Sequence, residues 1–161
     1  MELPILTKLK KEVAELQREL SVELPKELAA AAAHGDLSEN AEYEAAKNRQ
    51  DYVRSRIAQL SGRVRELSMY TVASIPEGVV AYGSRVVIED VDEGELSTYV
   101  IVFPEEVDPG RGFISLSSPV GRALMNKAVG DEAVVQTPKG ARTYQVVELL
   151  TFHQRSDRPQ G

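Results

Sequence analysis

The first 70 residues repeat apolar side chains in steps of three and four, and this spacing restricts the fold more than any other feature. The first seam begins with the steps 3-4-3-4, at Leu6, Leu9, Val13, Leu16 and Leu20. Such spacing indicates a coiled coil. Two steps of four follow, to Leu24 and Leu28, and they form a stutter in the repeat. Residues 29–33 are alanines that favour helix, and His34-Gly35 is expected to end it.

A second apolar seam predicts a second helix, from near Leu37 to about Ser68. This seam runs through Ala46, Val53, Ile57, Leu60, Val64 and Leu67. Because only a few residues join the two helices, we expect an antiparallel hairpin. Each arm has roughly 30 residues, which at about 1.5 Å per residue gives a rod about 45 Å long. We also expect Thr7 to cap the first helix and Pro25 to kink or interrupt it.

The charged positions beside the seams predict how the two arms pair. Opposite charges would meet between the arms as Glu12 with Arg63 and as Glu19 with Arg56. We interpret this arginine stripe mainly as interhelical salt bridges, each worth on the order of 0.5 kcal/mol. The same register places Lys26 opposite Arg49, so it predicts unpaired positive charge in the half of the rod near the turn.

The hydrophobic period changes after residue 70. Alternating segments separated by turn residues predict five strands, at 85–91, 97–103, 113–117, 133–137 and 142–152. Between the third and fourth strands, Ser118 suits a helix cap and Pro119 the first helical position. The chain is therefore expected to be an α+β protein: a hairpin at 1–70, a linker at 71–78, a small antiparallel sheet domain with one short helix at 79–153, and a flexible tail at 154–161.

Composition excludes several functional classes. The chain has 161 residues, a net charge of -6, and no cysteine, so disulfide scaffolds, zinc-thiolate sites and cysteine nucleophiles are excluded. Aromatic residues make up only 6%, and the acidic surface is ill suited to bare nucleic acid. No apolar run approaches the roughly 20 residues of a membrane span, and the N-terminus lacks the pattern of a signal peptide. We therefore expect a cytoplasmic protein with no membrane partner.

The predicted hairpin tip, residues 34–43, concentrates acidic and amide side chains. Asp36 followed by Glu39 has the spacing of a capping box, and capping is the favoured interpretation on physical grounds alone. The alternative is a partial Mg²⁺ site, because two carboxylates cannot close a site but can complete one that another macromolecule begins. His34 is expected to be a solvent-exposed turn residue rather than a third ligand.

Two segments of the sequence carry a resemblance to a known family. Residues 36–43, Asp-Leu-Ser-Glu-Asn-Ala-Glu-Tyr, resemble the tip signature of the bacterial Gre transcript cleavage factors. Residues 114–124, Ile-Ser-Leu-Ser-Ser-Pro-Val-Gly-Arg-Ala-Leu, resemble the signature of their C-terminal domain. The likeness covers nearly the whole chain and implies a coiled-coil hairpin followed by an FKBP-like domain.

The resemblance also implies a function and a set of partners. Gre factors bind bacterial RNA polymerase, insert the hairpin into its secondary channel and stimulate the polymerase to cut the nascent RNA 3′ end in backtracked complexes. The factor is thus not itself an enzyme, and it is expected to act as a monomer. By this resemblance Asp36 and Glu39 help hold a Mg²⁺ ion shared with the polymerase active site, and the isolated protein binds none.

The remaining candidate residues fall into two groups. Asn40 and Tyr43 match tip positions that contact RNA or polymerase, and Lys26 and Arg49 are added by their charge. The expected polymerase-docking residues are Ser118, Pro119, Arg122 and Leu124, although the alternative is a capped helix that packs Leu124 into the core.

Two other functions compete with transcript cleavage. One is a paralogue that enters the same channel and inhibits polymerase without promoting cleavage. The other is a structural coiled-coil adaptor whose tip carboxylates only cap a helix.

Overall fold

The computed structural model describes residues 1–35 and 40–157 of the chain. The chain divides into two compact units, the first formed by Met1–Thr71 and the second beginning at Val72. No helix among the described residues is long and apolar enough to cross a membrane.

The first unit is a helical hairpin. Its first arm consists of α1 (Pro4–Arg18), a π-helical segment (Glu19–Glu23) and α2 (Leu24–Ala32), and its second arm is α3 (Ala41–Leu67). The arms pack along the predicted seams, which bury Leu6, Leu9, Leu24, Ala46, Val53, Leu60 and Leu67; Ala31, which the seam did not include, is buried as well. Sequence spacing therefore predicted the hairpin and its apolar interface correctly.

The first helix begins earlier than predicted. Pro4 occupies the first turn of α1 and Leu3 is its N-cap residue, so the cap predicted at Thr7 is wrong. Proline suits this position because its ring fixes a helical φ and its missing N–H has no partner there in any case. The side chain of Leu3 is fully buried, which anchors the start of the helix.

The first arm is interrupted just before Pro25, and the interruption takes the form of the π-helical segment. There the N–H of Leu24 donates to the carbonyl of Glu19, five residues back instead of four. Pro25 has no N–H to donate, and in a continuous α-helix its ring would press on the carbonyl of residue 21. The π-helix also takes up the extra residue of the stutter, so Leu24 stays buried on the seam.

The ion pairs between the arms differ from the predicted ones. The Arg49 guanidinium donates to both carboxylate oxygens of Glu19, at 2.7 Å for each of its two best hydrogen bonds, and Arg56 Nη2 lies 3.3 Å from Glu12 Oε1. Each glutamate thus meets the arginine one heptad nearer the connection than predicted.

The second unit is a five-stranded sheet with one short helix. Its strands are β1 (Arg85–Asp90), β2 (Leu96–Val102), β3 (Phe113–Ser115), β4 (Glu132–Thr137) and β5 (Gly140–Leu150), in the spatial order β3-β2-β1-β5-β4. All neighbours are antiparallel except β2 and β3, which run parallel. The sheet is therefore mixed and not wholly antiparallel as predicted, because the loop after β2 returns the chain to the end at which that strand began.

One face of the sheet carries the core of the second unit. The buried cluster consists of Val80, Val86, Ile88, Ile101, Leu124, Ala133 and Val146. The helix α4 (Pro119–Leu124) covers this face and is capped as predicted, with Ser118 Oγ accepting from the Gly121 N–H at 3.1 Å. At Gly121 the helix approaches so closely that a Cβ would lie 2.1 Å from the carbonyl oxygen of Ser115.

Two segments that the sequence marked as a linker and a tail pack against the second unit. Ile75 is buried, and His153 Nε2 lies 2.9 Å from its carbonyl oxygen. Residues 154–157 do not fray as expected, because the buried Arg155 donates to the Gly83 carbonyl at 2.9 Å and to Asp157 at 3.1 Å. The polar composition of this stretch concealed an arginine that satisfies a buried backbone oxygen.

Candidate functional site

The two predicted tip carboxylates, Asp36 and Glu39, lie outside the described residues. The residues on either side of them are described, and they determine where the connection between α2 and α3 starts and ends. Gly35 has a φ of +99°, in the left-handed region, and its N–H donates to the Ala32 carbonyl at 3.3 Å. Gly35 therefore ends the first arm as predicted.

Asn40 begins the second arm. It is the N-cap residue of α3, and its Oδ1 accepts from the Tyr43 N–H at 3.1 Å. The helix therefore starts about four residues later than predicted, and the cap that we expected Asp36 to supply comes from Asn40 instead. Its Nδ2 also donates to the carbonyl oxygen of Ala31 at 2.5 Å, across the hairpin.

The first turn of α3 is acidic and open to solvent. It contains Glu42 and Glu44, both exposed, where carboxylates interact favourably with the helix N-terminus. His34 Nδ1 lies 3.4 Å from Glu42 Oε2, and both side chains are more than 60% exposed. His34 is thus an exposed turn residue, as predicted, while Tyr43 is half-buried.

The expected unpaired charge at Lys26 and Arg49 is only partly present. Arg49 is bound by Glu19, whose hydrogen bonds to the guanidinium lower the pKa of that carboxyl group. The same guanidinium lies 5.2 Å from the centre of the Tyr52 ring. Lys26 is exposed and makes no ion pair within the described part of the chain. Contact of either residue with RNA or polymerase stays a prediction.

Small side chains leave a groove of about 420 Å³ between the arms near the connection. The residues that line it are Glu27, Ala30, Ala31, Glu42, Ala45, Ala46 and Arg49. Across residues 1–35 and 40–157, no three His, Asp or Glu side chains stand close enough together to hold a metal ion.

The second candidate site is α4 with the residue that precedes it. Pro119 and Arg122 are exposed and available to a partner. The Ser118 hydroxyl is engaged internally, because it donates to the Ser115 carbonyl at 2.6 Å as well as capping the helix. Leu124 is fully buried in the core, as the alternative interpretation predicted, so its side chain supports the surface without forming part of it.

Sequence reasoning missed the neighbouring serines. Ser115 and Ser117 join their hydroxyl groups at 2.7 Å, and the Ser117 N–H donates to Ser115 Oγ at 3.1 Å. Ser117 is exposed beside Pro119 and extends the polar surface at this end of α4. The run Ser-Leu-Ser-Ser could have indicated this turn, since serine hydroxyls readily bond to nearby backbone.

Comparison with known proteins gives a consistent result for both units. The family model "Transcription elongation factor, N-terminal" of GreA/GreB matches residues 5–68, and the model "Transcription elongation factor, GreA/GreB, C-term" matches residues 75–151. The transcription elongation factor GreA of Hyphomonas neptunium is 44% identical over 140 residues, which cover 85% of this chain and 89% of that protein. The GreA of Syntrophobacter fumaroxidans is 42% identical over 88% of this chain and 91% of its own.

The chain is also similar to proteins of known structure. The GreA factor homolog 1 (Gfh1) of Thermus thermophilus is 29% identical, with 90% of this chain and 94% of that chain covered and a TM-score of 0.41. A GreA/GreB elongation factor of Nitrosomonas europaea is 29% identical over 58% of this chain and 78% of its own, with a TM-score of 0.42.

Proposed function

Because the chain belongs to the GreA/GreB family of transcription elongation factors, we propose that it binds bacterial RNA polymerase at the secondary channel and stimulates cleavage of backtracked RNA. The observation that carries the proposal is the placement of two carboxylates in the connection between two long antiparallel helices. Asp36 and Glu39 occupy that connection in the sequence, between the end of α2 and the start of α3.

The length of the hairpin supports this proposal. The 27 residues of α3 extend over about 40 Å at about 1.5 Å per residue. Interhelical ion pairs and the apolar seam hold the two arms together along this length. The arms can therefore carry the connection into a narrow channel without the arms separating.

The donor chemistry of the tip suits Mg²⁺, which prefers carboxylate oxygens and commonly keeps ligands from several sources. Asp36 and Glu39 would hold the ion jointly with groups of the polymerase. When bound there, Mg²⁺ supplies charge stabilisation for the attacking and leaving oxygens of phosphodiester hydrolysis. This chain contributes the two carboxylates and their position, and the polymerase contributes the rest of the active site and the RNA.

The second unit supplies the docking surface in this proposal. Pro119 and Arg122 are exposed on α4, and Ser118 and Leu124 fix that helix to the sheet. The tip then acts on RNA, while the surface of the second unit determines the affinity for polymerase. A single chain contains both surfaces, so a monomer suffices.

The test is a cleavage assay on purified, backtracked elongation complexes with labelled RNA. Addition of the chain should release 3′-terminal RNA fragments and allow the shortened transcript to be extended. The chain alone, given the same RNA and Mg²⁺ without polymerase, should produce no fragments. Binding without cleavage would favour the inhibitory alternative, and absence of binding would favour the structural adaptor.

A further inference from the structure

We propose that Asn40 is a positioning residue that ties the end of the first arm to the start of the second and so sets the place of the tip carboxylates. The proposal rests on the proposed function for its effect on cleavage. It assigns the Asn40 carboxamide an internal task, whereas the sequence had suggested contact with RNA or polymerase.

The Asn40 side chain forms hydrogen bonds with both helix ends, the end of α2 and the start of α3. The last carbonyls of α2 and the first N–H groups of α3 have no partners within their own helices. Asn40 Oδ1 accepts from the N–H of Tyr43 at 3.1 Å, and its Nδ2 donates to the Ala31 carbonyl at 2.5 Å. We call this pair of hydrogen bonds, from Asn40 to Tyr43 and to Ala31, the clamp. The Ala31 carbonyl also accepts from the His34 N–H at 3.2 Å, so the clamp attaches to the last turn of the first arm.

The chemistry of the side chain explains why an amide stands at this position. Asparagine and aspartate cap helices about equally well, because each offers an oxygen to the free N–H groups. Only the amide also offers a donor, which gives the Ala31 carbonyl a second hydrogen bond beside the one from the His34 N–H. Aspartate here would keep the cap, lose the cross-hairpin bond and place a negative charge against a carbonyl oxygen.

The clamp lies directly beside the segment that contains the tip carboxylates. Only residues 36–39 separate Gly35 from Asn40 in the sequence, and two of these four are the candidate metal ligands. The side chains that face each other near this end are mostly alanines, which bring little apolar area to hold the arms together. A polar bond across the hairpin therefore compensates for weak packing, and misplacement of a catalytic group by about 1 Å can cost on the order of a hundredfold in rate.

The key variant is Asn40→Asp, with Asn40→Ala as the variant that loses both bonds. Asn48→Asp is the matched control, because Asn48 is exposed on the same helix and its side chain makes no hydrogen bond within the described part of the chain. Spacing of the arms can be measured in the free full-length chain with nitroxide labels on cysteines at positions 30 and 45. The chain has no cysteine of its own, so these labels are unambiguous.

We expect Asn40→Asp to broaden the distance distribution between the labels while the Tyr43 amide stays protected from hydrogen exchange. In the cleavage assay its maximal rate should fall by about 10- to 100-fold. The concentration that gives half-maximal cleavage should change less than twofold, because docking lies elsewhere. Asn40→Ala should in addition lose protection at Tyr43, and Asn48→Asp should match the parent chain in every measurement.

Three results would overturn the proposal. Unchanged label spacing in Asn40→Asp would show that no clamp exists. A wider spacing with an unchanged maximal rate would remove its role in positioning. A raised half-maximal concentration at a normal maximal rate would show a contact residue. If the parent chain itself fails to stimulate cleavage, the proposed function fails, while the label spacing still decides whether the clamp exists.

Discussion

The stutter in the first arm predicts that one residue can be removed from the π-helix without loss of the apolar interface between the arms. The seam there runs Leu20, Leu24, Ala31, and it exceeds the heptad repeat by one residue. Deletion of Ser21 would restore the regular heptad and keep the same side chains on the seam. Because Pro25 would then lie inside a continuous α-helix, at a cost of about 3 kcal/mol, the deletion must be combined with Pro25→Ala.

The expected change in the free energy of unfolding follows from which side chains stay buried. In the combined variant Leu24 and Ala31 stay buried, so the free energy of unfolding should change by no more than about 1 kcal/mol. The matched control is deletion of Ala58 from α3, where the repeat is already regular. That deletion rotates Leu60 and Leu67, 4% and 1% exposed, off the seam. Loss of two buried leucines should cost about 3–6 kcal/mol.

Urea unfolding followed by far-ultraviolet circular dichroism measures both variants, and amide exchange at Leu24 reports the local hydrogen bonding. Pro25→Ala alone should keep the π-helix, because the stutter persists in the sequence. The reasoning is refuted if deletion of Ser21 with Pro25→Ala destabilises the chain as much as deletion of Ala58. It is equally refuted if Pro25→Ala alone converts the segment into a regular α-helix.

Three further predictions concern the second unit. Gly121→Ala should destabilise it by about 3 kcal/mol in urea unfolding, since a Cβ would lie 2.1 Å from a backbone oxygen, whereas Gly110→Ala, with no atom closer than 3.6 Å, should change little. Hydrogen bonds, chiefly from Arg155, lower the pKa of Asp157 from 3.8 to about 2. The contribution of this carboxylate to stability is therefore present above about pH 4 and is lost as the pH falls to about 2. The difference in urea-unfolding midpoint between the parent chain and Asp157→Asn should vanish over that range. Arg122→Ala should raise the half-maximal concentration in the cleavage assay about fivefold at an unchanged maximal rate, and an unchanged concentration would remove Arg122 from the docking surface.

The spacing of apolar residues predicted most of the fold. Steps of three and four gave the two arms, and alternation gave the five strands, because each pattern matches the geometry of only one regular element. The short helix was predictable in detail, since Ser118 and Pro119 each suit one position at a helix start. The parallel pairing of β2 with β3 was not, because nothing local in the sequence sets the direction of a loop return.

The start of α3 shows where local reasoning fails. Asp36, Ser38 and Asn40 are all competent N-cap residues, and the sequence cannot rank them. Asn40 is the one that caps α3 in the structure, and it also bonds to the Ala31 carbonyl on the other arm, a contact that local sequence patterns do not reveal. The predicted ion pairs between the arms were also wrong, and they came from a heptad count that did not include the π-helix of the first arm.

We propose that the tip carboxylates act on RNA within the polymerase. Asp36→Asn and Glu39→Gln remove the charge but keep the shape, and the N-cap of α3 is supplied by Asn40, so the helix start should be unaffected. In the backtracked-complex assay both variants should bind polymerase, compete with the parent chain and lower the cleavage rate by about a hundredfold or more, which corresponds to about 3 kcal/mol of transition-state stabilisation. Full cleavage stimulation by either variant would contradict the account.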